Sequence, residues 1–113
     1  MAISDYRAGK VVATVPIGTG VDGAAFDPAT GDAFASNADG TLTVIHQATP
    51  DTYQVAQTVK TMTGSRNLGL DVASHALYLA GANFEAATAN AGSPRQRPTM
   101  VPGSFVLLVV ERR

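Results

Sequence analysis

Apolar and polar positions alternate along this chain in short runs, and turn residues separate them. Residues 10–17 are rich in valine and bounded by glycine. Residues 22–27 follow and stop at Pro28, inside the turn Asp27-Pro28-Ala29-Thr30-Gly31. Residues 32–36 come next, then the turn Asn37-Ala38-Asp39-Gly40, whose Asp-Gly is a strong hairpin signal. Residues 41–46 close the set. No window carries apolar residues at i, i+3, i+4 and i+7 over three turns, so helices are not expected. The pattern predicts an all-β fold.

The pattern repeats. Val11-Val12-Ala13-Thr14-Val15 aligns with Val55-Ala56-Gln57-Thr58-Val59 at an offset of 44. The same offset sets Gly20 on Gly64, Asp27 on Asp71 and Phe34 on Tyr78. Further on, residues 40–45 align with residues 103–108 at an offset of 63, because the second copy carries 19 extra residues. Four short strands in a period of about 40–45 residues are the signature of a propeller blade.

Residues 17–31 also contain Gly18, Gly20 and Gly23, in the spacing G-x-G-x-x-G of a dinucleotide-binding turn. That motif needs a helix of about ten residues after its last glycine, and Pro28 and Gly31 leave no room for one. Met62 and Asn67 replace two of the glycines in the second copy. The glycines are therefore expected to shape the bend between one blade's outer strand and the next blade's innermost strand.

Residues 10–18, Asp27-Pro28, Ser36-Asn37 and residues 39–45 resemble the YVTN-type (YncE-like) bacterial β-propeller proteins. Residues 97–106 are similar to the last blade of that family. The resemblance weakens at residues 66–69 and in the Ala-rich insertion. It implies seven-bladed relatives several times longer, so this chain reads as two four-stranded blades. Residues 1–17 would carry an outer strand for a neighbouring chain's blade. Residues 18–62 would form the first blade, and residues 63–113 the second, with a long loop at 81–103. Residues 3–9 resemble the turn between a blade's third and fourth strands. On this reading the second blade lacks its outer strand, and the first outer strand lacks its blade. Head-to-tail homo-oligomerisation, with residues 10–17 pairing with residues 104–110 of the neighbour, would mend both defects. A homotrimer of six blades is preferred, then a homotetramer of eight.

Composition narrows the function classes. The 113 residues are 45% hydrophobic and 15% charged, with a net charge of -1. That balance supports one packed domain and gives no argument for nucleic acid or an anionic membrane. There is no cysteine, hence no disulfide, thiolate nucleophile or Cys-type zinc site; the compartment does not follow from this. The longest apolar run, residues 105–110, is too short to span a bilayer as a helix. The first ten residues hold no apolar signal-peptide core.

Candidate chemistry is sparse. Asp22 and Arg66 occupy equivalent positions at the start of the innermost strands. In a ring they would alternate around one mouth of the channel, either as structural ion pairs or as a site for a small anionic ligand or a metal. Asn37, Asn67, Asn83 and Glu85 lie in loops expected on that face, where their oxygens would suit a divalent cation such as calcium or magnesium. His75 is expected at the opposite face, where symmetry copies would suit a transition metal. His46 aligns with Val109, which favours a packing or surface role. Asp27 and Asp71 read as turn formers, with no histidine near Asp27. No G-x-S-x-G occurs. The insertion's Arg95 and Arg97 would either bind an anion or solvate the loop. Two functions stay open. One is a non-enzymatic binding or scaffold module, as the resemblance implies. The other is a metal-assisted hydrolase of esters, lactones or phosphoesters, with Asp22, His75 and Arg66 as candidate catalytic residues.

Overall fold

The computed structural model describes residues 1–86 and 97–112. Those residues form nine strands and no helix, arranged as three antiparallel sheets. The middle sheet is a meander of β3 (Val21–Asp27), β4 (Asp32–Asn37), β5 (Thr41–Thr49) and β6 (Thr52–Lys60). A second sheet holds β7 (Arg66–Asp71), β8 (Ala76–Gly81) and β9 (Val106–Val110). The third is a hairpin of β1 (Ala2–Asp5) and β2 (Lys10–Thr14). The all-β expectation holds, and the β3–β4 hairpin shows why, because its turn is closed by its own residues. The Asp27 carboxylate accepts the N–H of Ala29 at 3.0 Å, and Gly31 takes φ +73° at the end of the same turn.

Strand alternation sends side chains to both faces of the middle sheet. Phe34 and Leu42 pack with Leu77 and Leu79 of the β7–β9 sheet. On the opposite face Ala33 and Ile45 pack with Val15, and Met1, Ile3 and Tyr53 lie against them. Covered on both faces, β4 is buried at every position. Among the described residues, nothing covers the ends of the stack. Tyr78, Leu107 and Val109 of one end and Phe26 of the middle sheet are exposed apolar side chains. The radius of gyration is 16.5 Å, where a compact chain of this length would have about 13 Å.

The glycine motif has a steric task. A Cβ on Gly23 would lie 2.9 Å from the Leu68 Cβ, where β3 and β7 run against each other. One on Gly18 would collide with Thr41 and lie 2.7 Å from the Asn37 amide nitrogen. Bare backbone is required for packing here, and the segment continues as a strand.

Two expectations change at the N-terminus. Residues 3–9 are not all turn, because Ala2–Asp5 is a strand paired with β2. Its register repeats that of β5 on β6. Ala2 faces Thr14 as Thr43 faces Thr58, and Asp5 faces Lys10 as His46 faces Gln54. The bulge between Ile3 and Ser4 recurs between Val44 and Ile45. The β1 strand is thus a counterpart of one stretch of β5. It takes up an edge of β2 that residues 104–110 of a neighbour were expected to use. Among the described residues, β9 pairs with β8 on one side and with no strand on the other.

Candidate functional site

The residues singled out in the sequence separate into two ends of the sheets. At the first end Asp22 opens β3 and Arg66 opens β7. Among the described residues no ion pair joins them. The Asp22 carboxylate instead accepts the backbone N–H of Asn67 at 2.6 Å, and Asn67 sits at φ +59°. Asn37 is not a loop side chain open to a ligand. It ends β4, is 1% exposed, and its amide donates to Ala35 O and to the hydroxyls of Thr41 and Thr43. Burial between β5 and the Gly18 bend makes it part of the packing. Asn83 and Glu85 belong to a short ribbon. The Asn83 N–H reaches Ser104 Oγ at 3.0 Å, and the Glu85 N–H reaches Thr99 O at 2.8 Å. Glu85 and Arg97 are exposed, and Arg95 lies outside the described residues.

His75 is at the other end, beyond the last residue of β3 and so about 16 Å along that strand from Asp22. Within one chain the two do not belong to one ligand set. Among the described residues no three His, Cys, Asp or Glu side chains are placed to hold a metal ion.

That other end holds the densest chemistry. Asp27 and Asp32 face each other across the β3–β4 hairpin, and His46 faces Asp32 across β4–β5. Directly opposed residues share a face, so the three lie side by side toward the β7–β9 sheet. His46 Nδ1 lies 2.8 Å from Asp32 Oδ1, and Arg112 Nη1 lies 3.6 Å from Asp32 Oδ2. His75 comes from the facing sheet, and its Nδ1 is 2.6 Å from Asp27 Oδ2. It occupies the repeat position of Gly31 and shares its left-handed backbone, at φ +60° against +73°. Asp27 therefore does have a histidine beside it, and His46 is tied to a carboxylate rather than serving only as packing.

Burial alone would raise the pKa of Asp27. The hydrogen bonds from His75, the Ala29 backbone and Thr30, with the charge of His75, outweigh it and hold the carboxyl below its ordinary 3.8. A ring that donates Nδ1–H to a carboxylate keeps its lone pair on Nε2, the arrangement that makes an imidazole a general base. Both rings line a cleft of about 680 Å³, together with Phe34, Val44, Val59 and Arg112. Among the described residues no hydroxyl is hydrogen-bonded to either ring. The nearby Ser74 Oγ donates to Asp71 at 2.6 Å instead.

The Asp32–His46 pair was within reach of sequence reading, because the Asp-Gly turn fixes which residues of β4 and β5 stand opposite. The Asp27–His75 pair was not, since it depends on how two sheets pack.

Compared with known proteins, the chain matches no family model, no curated protein and no solved structure. No helix among the described residues is long and apolar enough to cross a membrane.

Proposed function

We propose that the chain is a scaffold and ligand-binding module made of propeller-type blades, which completes itself by stacking head to tail with copies of itself. One observation carries this reading. The exposed Tyr78, Leu107 and Val109 are the repeat counterparts of Phe34, Val44 and His46, which lie on the middle-sheet face that packs against β7–β9. The outward Ala24 and Phe26 are the counterparts of Leu68 and Leu70, which pack against that face. The two uncovered ends are thus the two halves of an interface that the chain already makes once internally. A cleft of about 630 Å³ beside the β1–β2 hairpin, lined by Ile3, Ala24, Phe26, Ala33 and Tyr53, leaves room for a neighbour's inner strands. Contacts of this heterologous kind close into rings when the rotation per copy divides a full turn. Three copies would give six blades, with four copies next, and Asp22, Arg66 and Asn67 would then surround one mouth as a site for a small anion.

Native mass spectrometry tests the assembly. The expected mass is that of three chains, and Leu107→Asp is expected to give a monomer with an unchanged far-ultraviolet circular dichroism spectrum. A wild-type chain that is monomeric at micromolar concentration refutes the reading.

The two carboxylate-oriented imidazoles on one cleft favour a second reading, a hydrolase that activates water toward an ester or lactone. Turnover of a chromogenic ester should then vanish in His46→Ala combined with His75→Ala. Equal turnover in that variant removes the reading.

A further inference from the structure

This inference rests on the head-to-tail reading and concerns what controls it. The β2 strand is the repeat counterpart of β6 and shows the same face, since Val15 just after it, like its counterpart Val59, packs toward the next sheet. For an L-amino-acid strand, direction and face together fix which edge is which. The matched register and matched bulge then put β1 on the edge of β2 that corresponds to the one β5 takes on β6. The β5 strand has another counterpart, β9. Val106 to Val109 align with Thr43 to His46, the same four positions that Ala2 to Asp5 match by register. A neighbour's β9 and the chain's own β1 are therefore two strands for one edge.

We propose that β1 is a displaceable stand-in for the β9 strand of a second copy, and that head-to-tail pairing begins when β1 leaves the edge of β2. The balance follows from ordinary strand energetics. Ala-Ile-Ser-Asp is a weaker strand former than Val-Leu-Leu-Val. What favours β1 is its tether, a four-residue turn that keeps its local concentration high. Its hold is short. Met1 exchanges both backbone bonds with Val15, at 2.6 and 2.9 Å, and Met1 and Ile3 lie against Ala33 and Ile45. The Asp5 carboxylate accepts the N–H groups of Arg7 and Ala8 in the turn. A second copy brings a better strand and, behind it, the Tyr78 face that fits the cleft beside Phe26. Assembly should thus rise steeply with concentration while β1 acts as its internal competitor.

A reversible lock tests this in the full chain, which has no native cysteine. Because Met1 and Val15 exchange both bonds, the next pair, Ala2 and Thr14, is a close non-hydrogen-bonded pair with Cα atoms about 4.5 Å apart, within disulfide reach. Oxidised Ala2→Cys/Thr14→Cys chain is expected to sediment as a monomer, and reduction should restore the wild-type assembly. Ile3→Pro, which weakens β1, should lower the concentration for half-assembly at least tenfold. If the oxidised chain assembles as the reduced one does, the stand-in role is overturned and the head-to-tail reading survives. If wild type and reduced variant are monomeric at micromolar concentration, the head-to-tail reading falls and this inference with it. A Thr14→Cys/Val106→Cys chain gives a third outcome. It should form a ladder of copies on a non-reducing gel, and an assembling chain without that ladder overturns the shared register.

Discussion

Gly23→Ala decides whether the close contact between β3 and β7 is as tight as the steric argument requires. In an ordinary strand, replacing glycine by alanine stabilises by about 0.5–1 kcal/mol, because the unfolded chain loses freedom. At Gly23 the new methyl would stand 2.9 Å from the Leu68 Cβ, 3.2 Å from the Leu68 backbone nitrogen and 3.2 Å from Ser36 Oγ. Two of these neighbours are fixed to backbone, so the β7–β9 sheet must move away from the middle sheet. Overpacking of that kind costs about 1–3 kcal/mol, which leaves a net loss on the order of 1–2 kcal/mol. With a urea m-value of about 1–3 kcal/mol/M, the unfolding midpoint should fall by roughly 0.3–2 M with m unchanged. Gly69→Ala is the control. Its methyl would meet nothing closer than the Tyr78 Cβ at 3.9 Å, and its φ is not positive, so it should be neutral or slightly stabilising. A Gly23→Ala chain as stable as wild type would refute the reasoning. So would a Gly69→Ala chain that loses as much.

Other outcomes follow from the packing and the charges. Leu42 is fully buried between two sheets, so Leu42→Ala should cost about 2–5 kcal/mol, read from the urea midpoint. Asn37→Ala leaves Ala35 O and the Thr41 and Thr43 hydroxyls without their shared donor and should cost about 1–3 kcal/mol, again by urea. The carboxyls of Asp27, Asp39 and Asp71 are all held below their ordinary 3.8. Depressed folded-state values contribute stability that is full above the unfolded pKa and is lost as pH falls through the folded one. The urea midpoint should therefore decline from about pH 5 downward, and the decline should be shallower in Asp27→Asn; equal slopes for both chains would contradict this.

The strands were readable from Val11, Phe34 and their repeat partners because short apolar runs recur at a fixed offset between turn residues. That a strand follows the insertion was readable from the alignment of residues 40–45 with residues 103–108, although the alignment starts it at residue 104, two residues before β9 begins. The β1 strand was not readable. Ala-Ile-Ser-Asp has too few apolar positions to show alternation, and only its pairing with β2 makes it a strand. At the candidate site, the equivalence of Asp22 and Arg66 was visible in the repeat, but the bond from Asn67 to Asp22 depends on a left-handed backbone that asparagine tolerates and rarely announces. Asn37 looked like a turn residue, and its neighbours swallowed it. The His75 contact was hidden for a different reason. Its partner is 48 residues away, on a sheet whose placement local pattern does not encode.

The Asp27–His75 pair also tells one kind of junction from another. A chain built of near-copies risks docking the wrong copy against the wrong neighbour, since the apolar faces are interchangeable. Inside one chain, Asp27 meets an imidazole. Between two chains, the same geometry would set Asp71 opposite Gly31, with no side chain to answer it, and Asp71 already turns to its own Ser74. The pair thus works as a signature of the covalently linked junction. It gives the correct pairing of the two sheets an advantage that a junction between copies would lack.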